Sequence, residues 1–421
     1  MTDTHQTAND YGSQERSDLL SVDEALQQIR KTLEPVEGFE RCPLQQTFNR
    51  IVAEPVISPI NVPGHVNSAM DGYAVSSTDL PSGDADAVLQ VTGTAFAGNP
   101  FAGTLQNGQA VRIMTGAVVP EGADTVIMQE AVTREGDSIT LQAGHKAGEN
   151  VRHIGEDIAE GGVVLAPGKK IRAAEMGLLA SLGIGEVTVS RRLRVATFST
   201  GDELCSIGEI PREGQIFDSN RYSIAGMLRA LNTEHIDMGV IRDDPEAISN
   251  AFSTAAKIAD VLITSGGVSV GDADYVKQTL DKLGQVNFWK IKMKPGKPLA
   301  FGQLKDAVFF GLPGNPVSVM ATFYEIVQPS LRHMMGQETH APLRVKVRCV
   351  DKLRSPARQD FQRGILERDD SGEWVVRSTG HQGSHILSSM SQANCFIVLD
   401  AECRGVEPGE WVEVEPFEGL F

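Results

Sequence analysis

Residues 193–331 repeat one pattern: an apolar strand, a turn-rich loop, then an amphipathic helix. LRVATFS (193–199) leads to a helix at about 219–231 and a strand near 234–241. Asp244-Pro245 starts the next helix, because proline suits a first helical turn. ADVLITSGG (259–267) and AVFFGLPGNP (307–316) are two further buried-type strands ending in glycines. After the second, Val317, Met320, Ala321, Tyr324, Val327 and Leu331 fall on one helical face. Strands that alternate with helices and are apolar throughout predict a largely parallel sheet covered on both faces.

The flanking sequence follows other rules. Ser21 and Glu24 have capping-box spacing, and Val22, Ala25, Ile29 and Leu33 then share a helical face. A second helix is expected at 171–182, with Gly183 as its C-terminal cap. Between them, 55–147 breaks into short β-rich runs separated by Gly, Pro and Asn. Residues 337–421 return to short strands. The expected organisation is α/β plus β: a lead-in at 1–18 without order, a discontinuous helical linker (19–54 and 148–188), an inserted β domain (55–147), an α/β domain (189–336) and a C-terminal β domain (337–421). A chain of 421 residues is long enough for several cores.

Composition narrows the function. The formal net charge is −17, which repels nucleic acid and anionic membrane. No apolar run approaches the ~20 residues of a membrane helix. The polar, acidic N-terminus lacks a signal-peptide pattern, so a cytoplasmic location is expected. Five cysteines without a CxxC pair, and histidines without HExxH, argue against a disulfide framework, a zinc ribbon and a zinc hydrolase.

Ligands of open α/β sheets bind beyond the carboxyl ends of the strands. Three loops are expected there. The first holds Glu203. The second holds Ser265, Gly266, Gly267, Ser269, Asp272 and Asp274. The third holds Pro313, Gly314, Asn315 and Pro316. Backbone amides of the Gly/Ser-rich loop can approach a phosphate. Asn315 as N-cap, with Pro316 after it, would leave free amides and a positive helix end facing a ligand. A tight turn explains either loop alone equally well. Carboxylates beside phosphate loops commonly hold Mg²⁺, which singles out Glu203 and Asp274, whereas Asp272 is better read as a helix-start charge.

Lys290, Lys292, Lys294 and Lys297 form the most concentrated cationic segment. In an extended chain the first three share a face. In so acidic a protein this suggests an anion cradle. Taken alone, an edge strand armoured against aggregation accounts for it slightly better.

Eight runs together resemble the molybdopterin molybdenumtransferases, comprising the bacterial MoeA proteins and the E domain of gephyrin. They are NSAMDGYA (67–74), RIMTGAVVPEGADTVIMQE (112–130), STGDEL (199–204), FDSN (217–220), TSGGVSVGDADY (264–275), KPGKP (294–298), GLPGNPVS (311–318) and GHQGSH (380–385). The resemblance runs in order from about 19 to 421. It implies an elongated homodimer of four-domain subunits with a molybdopterin-binding α/β domain. It implies that adenylylated molybdopterin and molybdate become molybdenum cofactor and AMP, with Mg²⁺. It also makes a molybdopterin adenylyltransferase a candidate partner.

The resemblance further implies site roles for Asp71, Thr115, Asp157, Glu203, Asp243 or Asp244, Asp274, Lys290, Pro313 and Pro316. Lys294, Lys297, Arg358 and Ser384 correspond to its oxyanion pocket. Lys292 and Asp272 depart from the usual pattern. Molybdate, a tetrahedral dianion, suits Lys, Arg, Ser and backbone amide donors. A scaffold protein on the same fold, or a general nucleotide phosphohydrolase, are the competing readings. The acids and lysines that the matched runs retain favour the transferase.

Overall fold

The computed structural model describes residues 19–82, 85–266, 279–280, 284–338, 341–355 and 357–417. The lead-in at 1–18 and Gly267, Ser269, Asp272 and Asp274 lie outside the described residues.

The described chain opens with β1 (Leu19–Leu20) and α1 (Val22–Arg30). The Ser21 hydroxyl accepts from the Glu24 amide at 3.1 Å, and the Glu24 carboxylate accepts from the Ser21 amide at 2.8 Å. The expected capping box is formed. Sequence pattern placed this helix in the linker. Instead, Val22, Ala25, Ile29 and Leu33 bury in the same cluster as the central α/β sheet, and β1 pairs in parallel with the strand carrying Lys290.

The chain then runs outward and later returns along itself. Phe39–Pro43 pairs with Glu186–Ser190, Val56–Ile57 with Val163–Leu165, and Asn67–Ser68 with Val151–Arg152, all antiparallel. Beyond these ladders lies a six-stranded sheet. Its strands are β2 (Gly72–Val75), β3 (Ala87–Ala95), β4 (Gln109–Ile113), β5 (Thr125–Met128), β6 (Val132–Glu135) and β7 (Ser138–Leu141), in the order β5-β2-β4-β3-β7-β6. The return path includes α2 (Ala173–Ser181), where Gly183 has φ +70° and donates to the Ala180 carbonyl at 3.0 Å.

The α/β unit holds β8 (Arg194–Thr200), α3 (Asn220–Ala230), β9 (Glu234–Ile241), α4 (Pro245–Ile258), β10 (Val261–Ser265) and β11 (Gly284–Ile291). It continues with β12 (Met293–Lys294), β13 (Pro298–Leu304), β14 (Ala307–Leu312), α5 (Pro316–Thr322) and α6 (Gln328–Met334), with a π-turn joining the two helices. The main sheet runs β1-β11-β13-β14-β10-β8-β9, and only β13 opposes its neighbours. Both faces are covered. Phe198 and Phe309 pack against α4 through Phe252 on one side, while α1, α3, α5 and α6 cover the other.

The C-terminal unit holds β15 (Val345–Cys349), β16 (Gln359–Arg368), β17 (Trp374–Ser378), α7 (Leu387–Gln392), β18 (Cys395–Leu399) and β19 (Trp411–Pro416). β16 pairs with both β17 and β18, which closes the sheet into a barrel. β12 adds in parallel to the start of β16, Lys294 opposite Asp360. Phe361, Phe396 and Met390 join the hydrophobic cluster of the α/β sheet.

Candidate active site

A cavity of about 540 Å³ lies where the α/β strand ends meet the barrel. Glu203, Gly266, Lys294, Lys297, Pro313, Gly314, Asn315, Arg358 and Ser384 all line it. These residues come from six separate segments of the sequence. Among the described residues the lining carries three cations and one carboxylate, which concentrates positive charge in an acidic protein. Gly296, Ser318, Gln382 and Gly383 are also part of its walls.

Glycines let the loops approach this closely. Gly266 has φ +89°, and a Cβ there would sit 2.5 Å from the Thr200 carbonyl oxygen. Gly296 has φ +107°, and its Cβ would meet the Thr322 hydroxyl at 2.5 Å. Both turns therefore exclude a side chain.

The lysine segment behaves differently from expectation. β11 lies between β1 and β13, so it is no edge strand. At Lys292 the chain changes sheets: its amide donates to the Leu20 carbonyl at 2.7 Å, and its carbonyl accepts from the Gln359 amide at 3.2 Å. Lys290 and Lys292 are not among the cavity-lining residues; Lys294 and Lys297 are. The Lys294 ammonium donates to Asp360 at 3.3 Å. Burial pushes the Asp360 carboxyl above its usual range, while the Gln362 amide and Lys294 pull it down.

The helix start after Asn315 also needs correction. Asn315 has N-cap backbone geometry but makes no side-chain cap bond. The Val317 amide, expected to be free, donates to the Ser384 carbonyl at 3.1 Å. That bond holds the GHQGSH loop against α5 instead of meeting a ligand.

Several anticipated residues stand elsewhere. Ser265 is buried just behind the lining. Pro316 begins α5 but is not a lining residue. Asp157 and Asp243 are exposed. Asp244 caps α4, accepting from the amides of Glu246 at 3.1 Å and Ala247 at 2.9 Å. Asp71 and Thr115 belong to the inserted unit. The Thr115 amide and hydroxyl each donate to the Asp71 carboxylate at 2.7 Å, and these bonds, the amide first, hold that carboxyl below its usual range.

Sequence reading missed Asn220. Its amide nitrogen donates to the Ser265 hydroxyl at 2.8 Å and to the Gly314 carbonyl at 2.7 Å, tying two cavity loops together. FDSN was noticed as a run, but an asparagine carries no chemistry that marks it as a clamp.

Residues 20–183 match the MoeA N-terminal region (domain I and II), 196–333 a probable molybdopterin binding domain, and 346–417 the MoeA C-terminal region (domain IV). The molybdopterin molybdenumtransferase of Haemophilus influenzae is 47% identical over 406 residues, covering 96% of this chain and 100% of that protein. Dictyostelium discoideum gephyrin is 32% identical, covering 94% of this chain and 62% of that protein. The crystal structure of the molybdopterin biosynthesis moeA protein from Pyrococcus horikoshii OT3 superposes with a TM-score of 0.83 at 29% identity, covering 95% of this chain and 100% of that one. With all three regions matched in order along its length, the chain belongs to the MoeA family of molybdopterin molybdenumtransferases.

Proposed function

We propose that this chain inserts molybdate into adenylylated molybdopterin, releasing AMP, in molybdenum cofactor biosynthesis. The observation that carries this reading is the convergence of Lys294, Lys297, Arg358 and Ser384 with two glycine-containing strand-end loops on one cavity. The four side chains bind molybdate. The loops at Gly266 and Gly314 take the pterin phosphate. Cleaving a phosphoanhydride relies on positioning and on charge stabilisation more than on a protein nucleophile. Placed cations lower the cost of charge on the departing phosphate. Glu203, the carboxylate of the lining, fits the donor set of Mg²⁺, which takes one or two carboxylates plus phosphate oxygens. With Asp274 it would hold that ion, which screens phosphate charge when bound.

The proposal includes a cytoplasmic homodimer. Among the described residues no helix is long and apolar enough to cross a membrane. Asp71 and Thr115 are absent from the cavity of their own chain, and Met70 and Met128 are exposed in the same insert. These features favour an insert that covers the cavity of a second subunit. A molybdopterin adenylyltransferase is the proposed supplier of substrate.

Purified protein with adenylylated molybdopterin, molybdate and Mg²⁺ should yield AMP and molybdenum cofactor in equal amounts. AMP without cofactor would instead make it a phosphohydrolase. Lys297→Ala should raise the molybdate requirement about tenfold or more, as for loss of a charge-assisted contact, with pterin binding retained. Lost pterin binding with unaltered molybdate dependence would assign Lys297 to the phosphate.

A further inference from the structure

The π-turn between α5 and α6 sets Glu325 into the joint between the α/β domain and the barrel. Phe323, Ile326 and Val327 of the same turn are fully buried, and Glu325 itself is 6% exposed. Its neighbour Tyr324 packs against Phe396 and Phe417 of the C-terminal unit, so the surroundings are apolar. Within them the Oε1 atom of Glu325 is enclosed, with no hydrogen-bond partner among the described residues.

A second cavity, of about 520 Å³, runs along this joint, and Glu325 shares its wall with Glu415 of β19 and with Arg344 just ahead of β15. Asp23 and Arg30 of α1 and Arg332 of α6 line it as well. The nearest cation across the joint is bonded elsewhere. Arg344 Nε donates to Glu415 at 3.4 Å, and its Nη1 lies 3.9 Å from Glu413. Burial pushes the Glu325 carboxyl well above its usual range, Glu415 pushes the same way, and Arg344 opposes them. Burial raises Glu415 too, but there Arg344 pulls back both by its charge and by its hydrogen bond. Arg344 thus supports the negative charge on Glu415 and leaves Glu325 as the carboxyl that keeps a proton. An enclosed carboxylate without a partner is far more costly than the neutral acid.

We propose that Glu325 is a neutral acid at physiological pH and that its proton holds the joint between the α/β domain and the barrel, which loosens when the proton leaves. Ser318 on α5 and Arg358 and Ser384 of the C-terminal unit line the candidate active site from the two sides of this joint. The proposal stands independently of the function assigned to that site. The folded chain binds this proton more tightly than the unfolded one. Its stabilising contribution is therefore complete below the ordinary glutamate range and is lost as pH rises through the raised folded value. Within that window the folded-to-unfolded ratio falls by up to about tenfold per pH unit.

Glu325→Gln keeps the size and the neutrality but has no proton to lose. Denaturant unfolding of the full chain should give nearly equal midpoints for wild type and variant at about pH 5, and a higher midpoint for the variant at about pH 9. Amide hydrogen exchange in α6 and β19 should be faster in wild type than in the variant at the higher pH and equal at the lower. The infrared difference spectrum, wild type minus variant at neutral pH, should contain the C=O stretch of a protonated carboxyl. A midpoint difference that is constant with pH, or a difference spectrum with carboxylate bands alone, overturns the proposal. So does a Glu325→Gln chain that cannot fold, because a neutral isostere would then fail where a neutral acid is claimed to sit.

Discussion

Asn220 shows how much a single uncharged side chain can organise. It stands at the first position of α3, and one amide nitrogen serves both Ser265 and Gly314. Ser265 ends β10, and Gly314 lies in the loop after β14. Asn220→Asp keeps the shape but replaces the donor with an oxygen facing the Gly314 carbonyl. Losing both hydrogen bonds costs about 1–3 kcal/mol, so kcat/KM for the pterin substrate should fall about tenfold, with far-UV circular dichroism unchanged. Wild-type kcat/KM in the variant would show that the loops hold their positions without this clamp. Nothing about asparagine type or spacing announces such a role. Glu203, Lys294 and Lys297 could be picked out before the cavity was known because charge in a family motif is conspicuous, whereas Asn220 bonds to partners that only the folded chain supplies.

At the scale of elements, most local signals held, the Asn315 side-chain cap being the exception, and long-range ones did not. The Ser21 capping box, the Gly183 turn and the Asp244-Pro245 helix start each depend on neighbours within a few residues, and each is present. The pairing of β1 with β11, and the passage of the chain at Lys292 from one sheet to another, depend on partners far along the sequence. The amide of Val317 was misread for the same reason: a distant loop takes it. Asp244 illustrates how local geometry bears on a functional question. As the N-cap of α4, its replacement by Ala should cost about 1 kcal/mol in chemical denaturation, while Asn, itself a good cap, should be nearly neutral. Both variants should turn over normally at saturating substrate. A fall in kcat for Asp244→Asn at unchanged stability would assign the carboxylate to the reaction instead.

The whole molecule raises the question of how many chains build one site. If the insert of one subunit completes the cavity of its partner, Asp71→Asn and Glu203→Gln damage different halves of the same site. Each variant alone should be inactive. After random subunit exchange half of the dimers are mixed, and one of their two sites keeps both acids, giving roughly a quarter of wild-type activity. Mixed dimers seen by mass spectrometry with activity at background would end the shared-site proposal. Within one chain, β12 has a consequence of its own. It follows the α/β strand β11 but hydrogen-bonds to the barrel, and nearby Tyr324 stacks on Phe417 at 5.5 Å. The C-terminal domain is therefore a poor candidate for free-standing expression or for swapping between relatives as a cassette. A cut between 338 and 341 would leave one fragment with an unpaired strand and the other with the groove that receives it. Two such fragments, made in one cell, carry matching edges for reassembly, which makes that junction a natural place to split the gene.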